Sequence, residues 1–151
     1  MNIWTNGCFD VLHLGHLELL IYSKNYNPEL LLFPAPVYPH NTLYVGIDSD
    51  ERVKQLKGND RPINNEFSRL TMLKALKVVD DVFIFNSDNE LRQLIKTLNI
   101  DYMIVGDQYK DKEVIGRECA KYGVVFAAYG VIFNRDKERS TTGIAKKINK
   151  L

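Results

Sequence analysis

Asn2-Ile3-Trp4-Thr5-Asn6-Gly7-Cys8-Phe9-Asp10-Val11-Leu12-His13-Leu14-Gly15-His16-Leu17 is the stretch whose reading decides the fold. Asn2–Thr5 is a brief apolar strand that runs into the turn signal Asn6-Gly7. From His16 to Asn25 the apolar residues Leu17, Leu19, Leu20 and Ile21 fit a helix with a broad buried side. A strand, a polar turn and a helix, if repeated, build parallel crossovers and an open α/β sheet with helices on both faces.

The rest of the chain repeats that rhythm. Strands are expected over Thr42–Ile47, Asp81–Phe85, Tyr102–Val105 and Val124–Ala127. Helices are expected from a Ser49 cap to about Leu56, over Asn65–Val78, from Ser87 or Asp88 to about Leu98, over Lys112–Tyr122 and over Ser140–Lys150. Tyr26–Asn41 breaks the pattern with four prolines, and its apolar Leu30–Phe33 argues for a packed excursion or a subunit contact.

Composition narrows the function. The 151 residues suit one domain, and 45% hydrophobic with 26% charged residues is too apolar for disorder. A net charge of +1 is too balanced for a chain that holds nucleic acid by neutralising phosphates. No apolar stretch approaches the ~20 residues of a membrane helix, and residues 1–15 lack a signal peptide's pattern, so a cytoplasmic protein is expected. Cys8 and Cys119 make no disulfide framework.

In an open α/β sheet ligands bind beyond the carboxyl ends of the strands. Three polar clusters fall there. In the first, Gly15 lets the backbone approach a ligand, and the first amides of the following helix point at it. His13 and His16, three residues apart, suit phosphate oxygens where negative charge develops, and equally suit a hydrogen-bonded structural role. No set of ligand-spaced side chains completes a metal site around them. The second cluster is Lys54, Lys57, Gly58, Asn59, Asp60, Arg61 and Pro62, followed by Arg69. Lys57 is placed to swing over a phosphate chain, and Arg61 and Arg69 each have the fork for a bidentate clamp; a charge run of this kind also makes an ordinary solvated loop. The third is Arg135 with Arg139-Ser140-Thr141-Thr142-Gly143, a helix cap or an anion site, while Asp107 after Gly106 is a turn residue or a ribose or base contact.

In this order the clusters resemble the small cytidylyltransferase-like nucleotidyltransferases. His13-Leu14-Gly15-His16 matches their His-x-Gly-His signature, and Ser140-Thr141-Thr142-Gly143-Ile144 their Ser-Thr-Thr-x-Ile signature. Two signatures at opposite ends of a short chain are specific. The resemblance implies a single domain over residues 1–151 and a nucleotidyl transfer in which an acceptor phosphate attacks the α-phosphorus of a triphosphate. His13, His16 and Lys57 would be catalytic, with Thr5, Gly7, Phe9, Asp10, Gly15, Asp107, Arg135, Ser140 and Thr141 binding nucleotide. It also implies magnesium with the triphosphate and a homodimer.

Two branches of the family compete. Lys57-Gly58-Asn59-Asp60-Arg61-Pro62-Ile63-Asn64 resembles the adenylyltransferase that acts on heptose 1-phosphate. Gly106-Asp107 and Arg135, five residues before Ser140, resemble glycerol-3-phosphate cytidylyltransferase. The expectation is CTP over ATP, with a phosphorylated polyol or sugar as acceptor. FAD synthetases share similar motifs. A nucleotide-binding module without catalysis is the reading from another class, disfavoured because a pure binder needs fewer of these residues.

Overall fold

The computed structural model describes residues 1–28, 40–106, 120 and 123–129. Its elements are β1 (Asn2–Gly7), α1 (Leu14–Lys24), β2 (Thr42–Asp48), α2 (Asp50–Lys57), α3 (Glu66–Lys74), β3 (Asp81–Phe85), α4 (Asp88–Thr97), β4 (Tyr102–Gly106) and β5 (Val125–Tyr129). The strands form one sheet in the order β3-β2-β1-β4-β5. Every neighbouring pair is parallel, as the alternation of strands and helices requires.

Alternation along the central strand divides the core. Ile3 faces one side, where it packs with Leu19 and Leu20 of α1, Val45 and Ile47 of β2 and Leu73 of α3. Trp4 faces the other, with Phe85, Met103 and Val105 and with Leu91 and Ile95 of α4. Each such buried aliphatic side chain contributes about 1.5–3 kcal/mol. Helices therefore cover both faces, and the open α/β architecture expected from the sequence is the one observed. The chain crosses faces between β3 and β4, so strand order reverses at the β1–β4 junction. That junction is where such sheets bind ligands.

Short polar side chains start three of the helices. Ser49 accepts from Arg52 N–H at 3.1 Å, Asn65 from Ser68 N–H at 2.9 Å and Ser87 from Glu90 N–H at 3.2 Å. Opposed charges hold the ends of β2 and β3: Arg52 spans Asp48 at 2.8 Å and Asp88 at 2.7 Å.

Several boundaries differ from the sequence expectation. β1 runs on through Asn6-Gly7, because those residues still pair with Gly46 and Ile47 of β2. α1 begins two residues earlier, at Leu14, since the carbonyl of His13 already accepts from His16 and Leu17. α3 ends at Lys74 rather than Val78. Leu76, Val78 and Val79 continue the apolar rhythm, yet they pack on the core from a turn that leads into β3. The helices expected over 112–122 and 140–150 lie outside the described residues, Ala120 apart, as do Leu30–Phe33. Asn41, at the end of the proline-rich segment, donates to the carbonyls of Lys24 and Tyr26 at 3.0 and 2.7 Å.

Candidate active site

The carboxyl end of β1 opens into a turn bent by Phe9, whose backbone takes a left-handed φ of 47°. A buried aromatic residue rarely adopts that conformation, and where it does the surrounding contacts impose it. Here the Phe9 ring folds back over Gly7, where a Cβ would sit 3.4 Å from it, and leans on His16 with ring centres 5.0 Å apart. His13 and His16 stack on one another at 3.8 Å with planes 22° apart. Both imidazoles are half-buried at the start of α1. No side chain of the cap residue closes this helix start, unlike the three capped helices. The first amides of α1 and the paired imidazoles thus sit together beside the sheet's switch point, a combination suited to phosphate oxygens.

Gly15 lies close beneath the His13 ring. A Cβ there would lie 3.2 Å from Cε1 and 3.3 Å from Nδ1 of His13. Its missing side chain makes room for the His13 ring. Thr5 is fully buried in β1, and its hydroxyl has no hydrogen-bond partner among the described residues.

The 57–64 loop closes over the same turn. Lys57 ends α2, followed by Gly58 at a φ of 97°, and both are exposed. Lys57 is near enough to Cys8 to favour its thiolate, as is Arg69, but burial outweighs both and pushes the Cys8 thiol up. Asp10 is 3% exposed and directs its carboxylate at the loop. It accepts from Ile63 N–H at 2.8 and 2.9 Å, from Asn64 N–H at 2.8 Å and from the Arg61 guanidinium at 3.2 Å. The structure therefore gives Asp10 protein partners where a nucleotide contact was expected.

The structure gives Arg61 and Arg69 protein partners. Arg61 is paired with Asp10. Arg69 is fully buried and donates to the carbonyls of Cys8 and Asn64 at 2.7 and 3.0 Å and to Asp50 Oδ1 at 2.7 Å. Each of its three nitrogens donates to a partner inside the protein, and the side chain does not reach solvent. Asn64, Asp50 and Glu66, which accepts from Asp50 N–H at 2.7 Å, complete a network that sequence reasoning missed.

Asp107, Arg135, Ser140 and Thr141 lie outside the described residues. Among the described residues no three His, Cys, Asp or Glu side chains gather to hold a metal ion. The one carboxylate at the turn, Asp10, is taken up by the loop amides, so these residues do not themselves build a magnesium site. No helix of the described residues is long and apolar enough to cross a membrane.

Residues 4–147 match the family model described as cytidylyltransferase-like. The chain belongs to that family. It is 43% identical over 119 residues to the bifunctional protein HldE of a Nitratiruptor species, covering 79% of this chain and 23% of the relative. With the HldE protein of Campylobacter fetus it shares 38% identity over 146 residues, 97% of this chain and 27% of the relative. The chain thus spans about a quarter of the length of these curated relatives. A lipopolysaccharide core biosynthesis protein from Thermoplasma volcanium superposes with a TM-score of 0.64 at 25% identity, over 86% of this chain and 96% of that one.

Proposed function

We propose that this chain is a nucleotidyltransferase that moves AMP from ATP onto a sugar phosphate of the heptose 1-phosphate class. The observation that carries the reading is the stacked His13–His16 pair at an uncapped helix start, with the loop of Lys57 fastened against the same turn. The extended similarity to the HldE proteins supports the adenylyl branch over the cytidylyl branch expected from Gly106-Asp107 and Arg135.

An oxygen of the acceptor phosphate attacks the α-phosphorus, the bond from that phosphorus to the bridging oxygen breaks, and pyrophosphate leaves. The acceptor is already an anion, so no side chain has to remove a proton. What the protein supplies is position and neutralisation of charge. His16, braced by Phe9 and His13, donates to the α-phosphate oxygen as its charge grows. His13 and the first amides of α1 hold neighbouring oxygens, and Lys57 bridges acceptor and α-phosphate. Arg135, Ser140 and Thr141 are assigned to the β- and γ-phosphates and Asp107 to the nucleoside, following the family resemblance. Magnesium, expected with the triphosphate, would offset charge on its phosphates, and no described residue is assigned to hold it.

Pyrophosphate release with ATP and with CTP, each against heptose 1-phosphate and glycerol 3-phosphate, tests the reading. Turnover with ATP and the heptose phosphate is expected. Turnover with CTP alone restores the cytidylyl reading that Gly106-Asp107 favours. Tight nucleotide binding without turnover on any acceptor leaves a binding module.

A further inference from the structure

Asn64 is held from both sides. Its backbone N–H donates to Asp10 at 2.8 Å, its side-chain amide donates to the Asp10 carbonyl at 2.7 Å, and its own carbonyl accepts from Arg69 at 3.0 Å. Asp10 and Arg69 are both buried, and Arg69 also binds the Cys8 carbonyl, so the two ions grip the β1–α1 turn and the loop together. Buried ions are a poor way to gain stability, since apolar side chains of similar volume often serve as well. What they gain here is a fixed relation between two segments far apart in sequence. The loop's other end is unlike this one: Lys57, Gly58, Asn59 and Asp60 are all exposed, and nothing lies within 4 Å of where a Gly58 Cβ would be.

We propose that Asp10 and Arg69 are positioning residues. They fasten Asn64, and with it the loop that follows Lys57 at the end of α2, to the turn that carries His13 and His16. The proposal rests on the nucleotidyl-transfer reading for its kinetic consequence, and on geometry alone for the fastening itself.

Asp10→Asn keeps the shape but loses the charge opposite Arg61, and Arg69→Lys keeps the charge but not the three-way fork. Hydrogen exchange in the free protein is expected to rise at the Ile63 and Asn64 amides in both variants, while the β2 amides stay protected. With ATP and the sugar phosphate, kcat is expected to fall about 10²-fold with little change in KM for ATP, as for a misplaced catalytic group. Lys57→Ala is expected to cost about tenfold less in the Asp10→Asn background than in the wild type, because a displaced lysine has less to lose.

Unchanged exchange at residues 63 and 64 in both variants overturns the fastening. Additive losses for Asp10→Asn and Lys57→Ala overturn the positioning role and leave Asp10 merely structural. A raised KM for ATP at unchanged kcat makes Asp10 a nucleotide ligand and equally overturns the proposal. If the wild type transfers no nucleotide, the function proposed above fails, while the exchange measurement still decides the fastening. If Asp10→Asn does not fold, Arg69→Lys carries the exchange and kinetic arms, with its own Lys57→Ala pairing.

Discussion

Replacing Gly46 by alanine tests how tightly the strand that carries the histidine turn is packed. Gly46 lies in β2 opposite Asn6 of β1, beneath the indole of Trp4. An alanine Cβ would come 2.1 Å from Cζ2 of that indole, 2.9 Å from Cη2 and 3.0 Å from Cε2. Carbon atoms rest at about 3.5–4.0 Å, so ring and strand would have to part by about 1.5 Å. Neither yields easily. Trp4 is fully buried, its indole N–H donates to Asn6 Oδ1 at 3.2 Å, and Phe83 stacks against it at 6.3 Å. Gly46 sits in a strand paired on both sides.

Overpacking of this kind costs about 1–3 kcal/mol, and two rigid partners place Gly46→Ala at the upper end. For a domain of this size that lowers Tm by about 6–12 °C. Thermal unfolding followed by circular dichroism measures the shift. Trp4 is the only tryptophan, so its fluorescence reports the disturbance at its source. In a Trp4→Phe background, which removes the colliding atoms, Gly46→Ala is expected to cost clearly less. A Gly46→Ala protein melting within about 1 °C of the wild type, with unshifted fluorescence, would refute the packing argument.

Three further outcomes are expected. His16→Ala lowers kcat about 10²–10³-fold while triphosphate binding by titration calorimetry changes little, because its donation counts most in the transition state; near-normal turnover would make the pair structural. Cys8 alkylates more slowly in the native protein than in the urea-unfolded chain: burial raises its pKa, so less thiolate is present at a given pH, and the native rate climbs only as pH rises toward that higher value. Equal rates in the two states would remove that account. The family resemblance and the apolar Leu30–Phe33 point to a homodimer, which light scattering across a dilution series checks directly; a wild-type monomer at micromolar concentration excludes it, and a dimer that survives Leu31→Asp moves its interface elsewhere.

The strands and the starts of α2, α3 and α4 were legible because their signals are local. Ser49, Asn65 and Ser87 each precede an amphipathic run and each caps it. The turn after β1 was legible in the histidine spacing, but its start was misplaced: Asn6-Gly7 reads as a turn and yet pairs with β2 as strand. The end of α3 was not, since Leu76 and Val79 are as apolar in a buried turn as they would be on a helix. The larger misreading concerned Arg69. A charge run in a polar loop looks solvated or ligand-bound, and only the partners Cys8 and Asp50, far off in sequence, turn this arginine inward. Asp10 was read as a nucleotide contact because the residues that claim its oxygens lie more than fifty positions away.

The central place of β1 bears on how the protein is made. β1 leaves the ribosome before either strand that flanks it. Thr42 and its successors must follow before one edge is covered, and Tyr102 before the other. In the interval Ile3 and Trp4 are sticky surface on a strand with open edges, the kind of segment that pairs with the wrong chain. Parallel pairing across such distances is slow to form. The histidine turn therefore takes its shape late in biogenesis, although its residues are translated early. A nascent chain that stalls before β4 exposes that strand to chaperones and to aggregation.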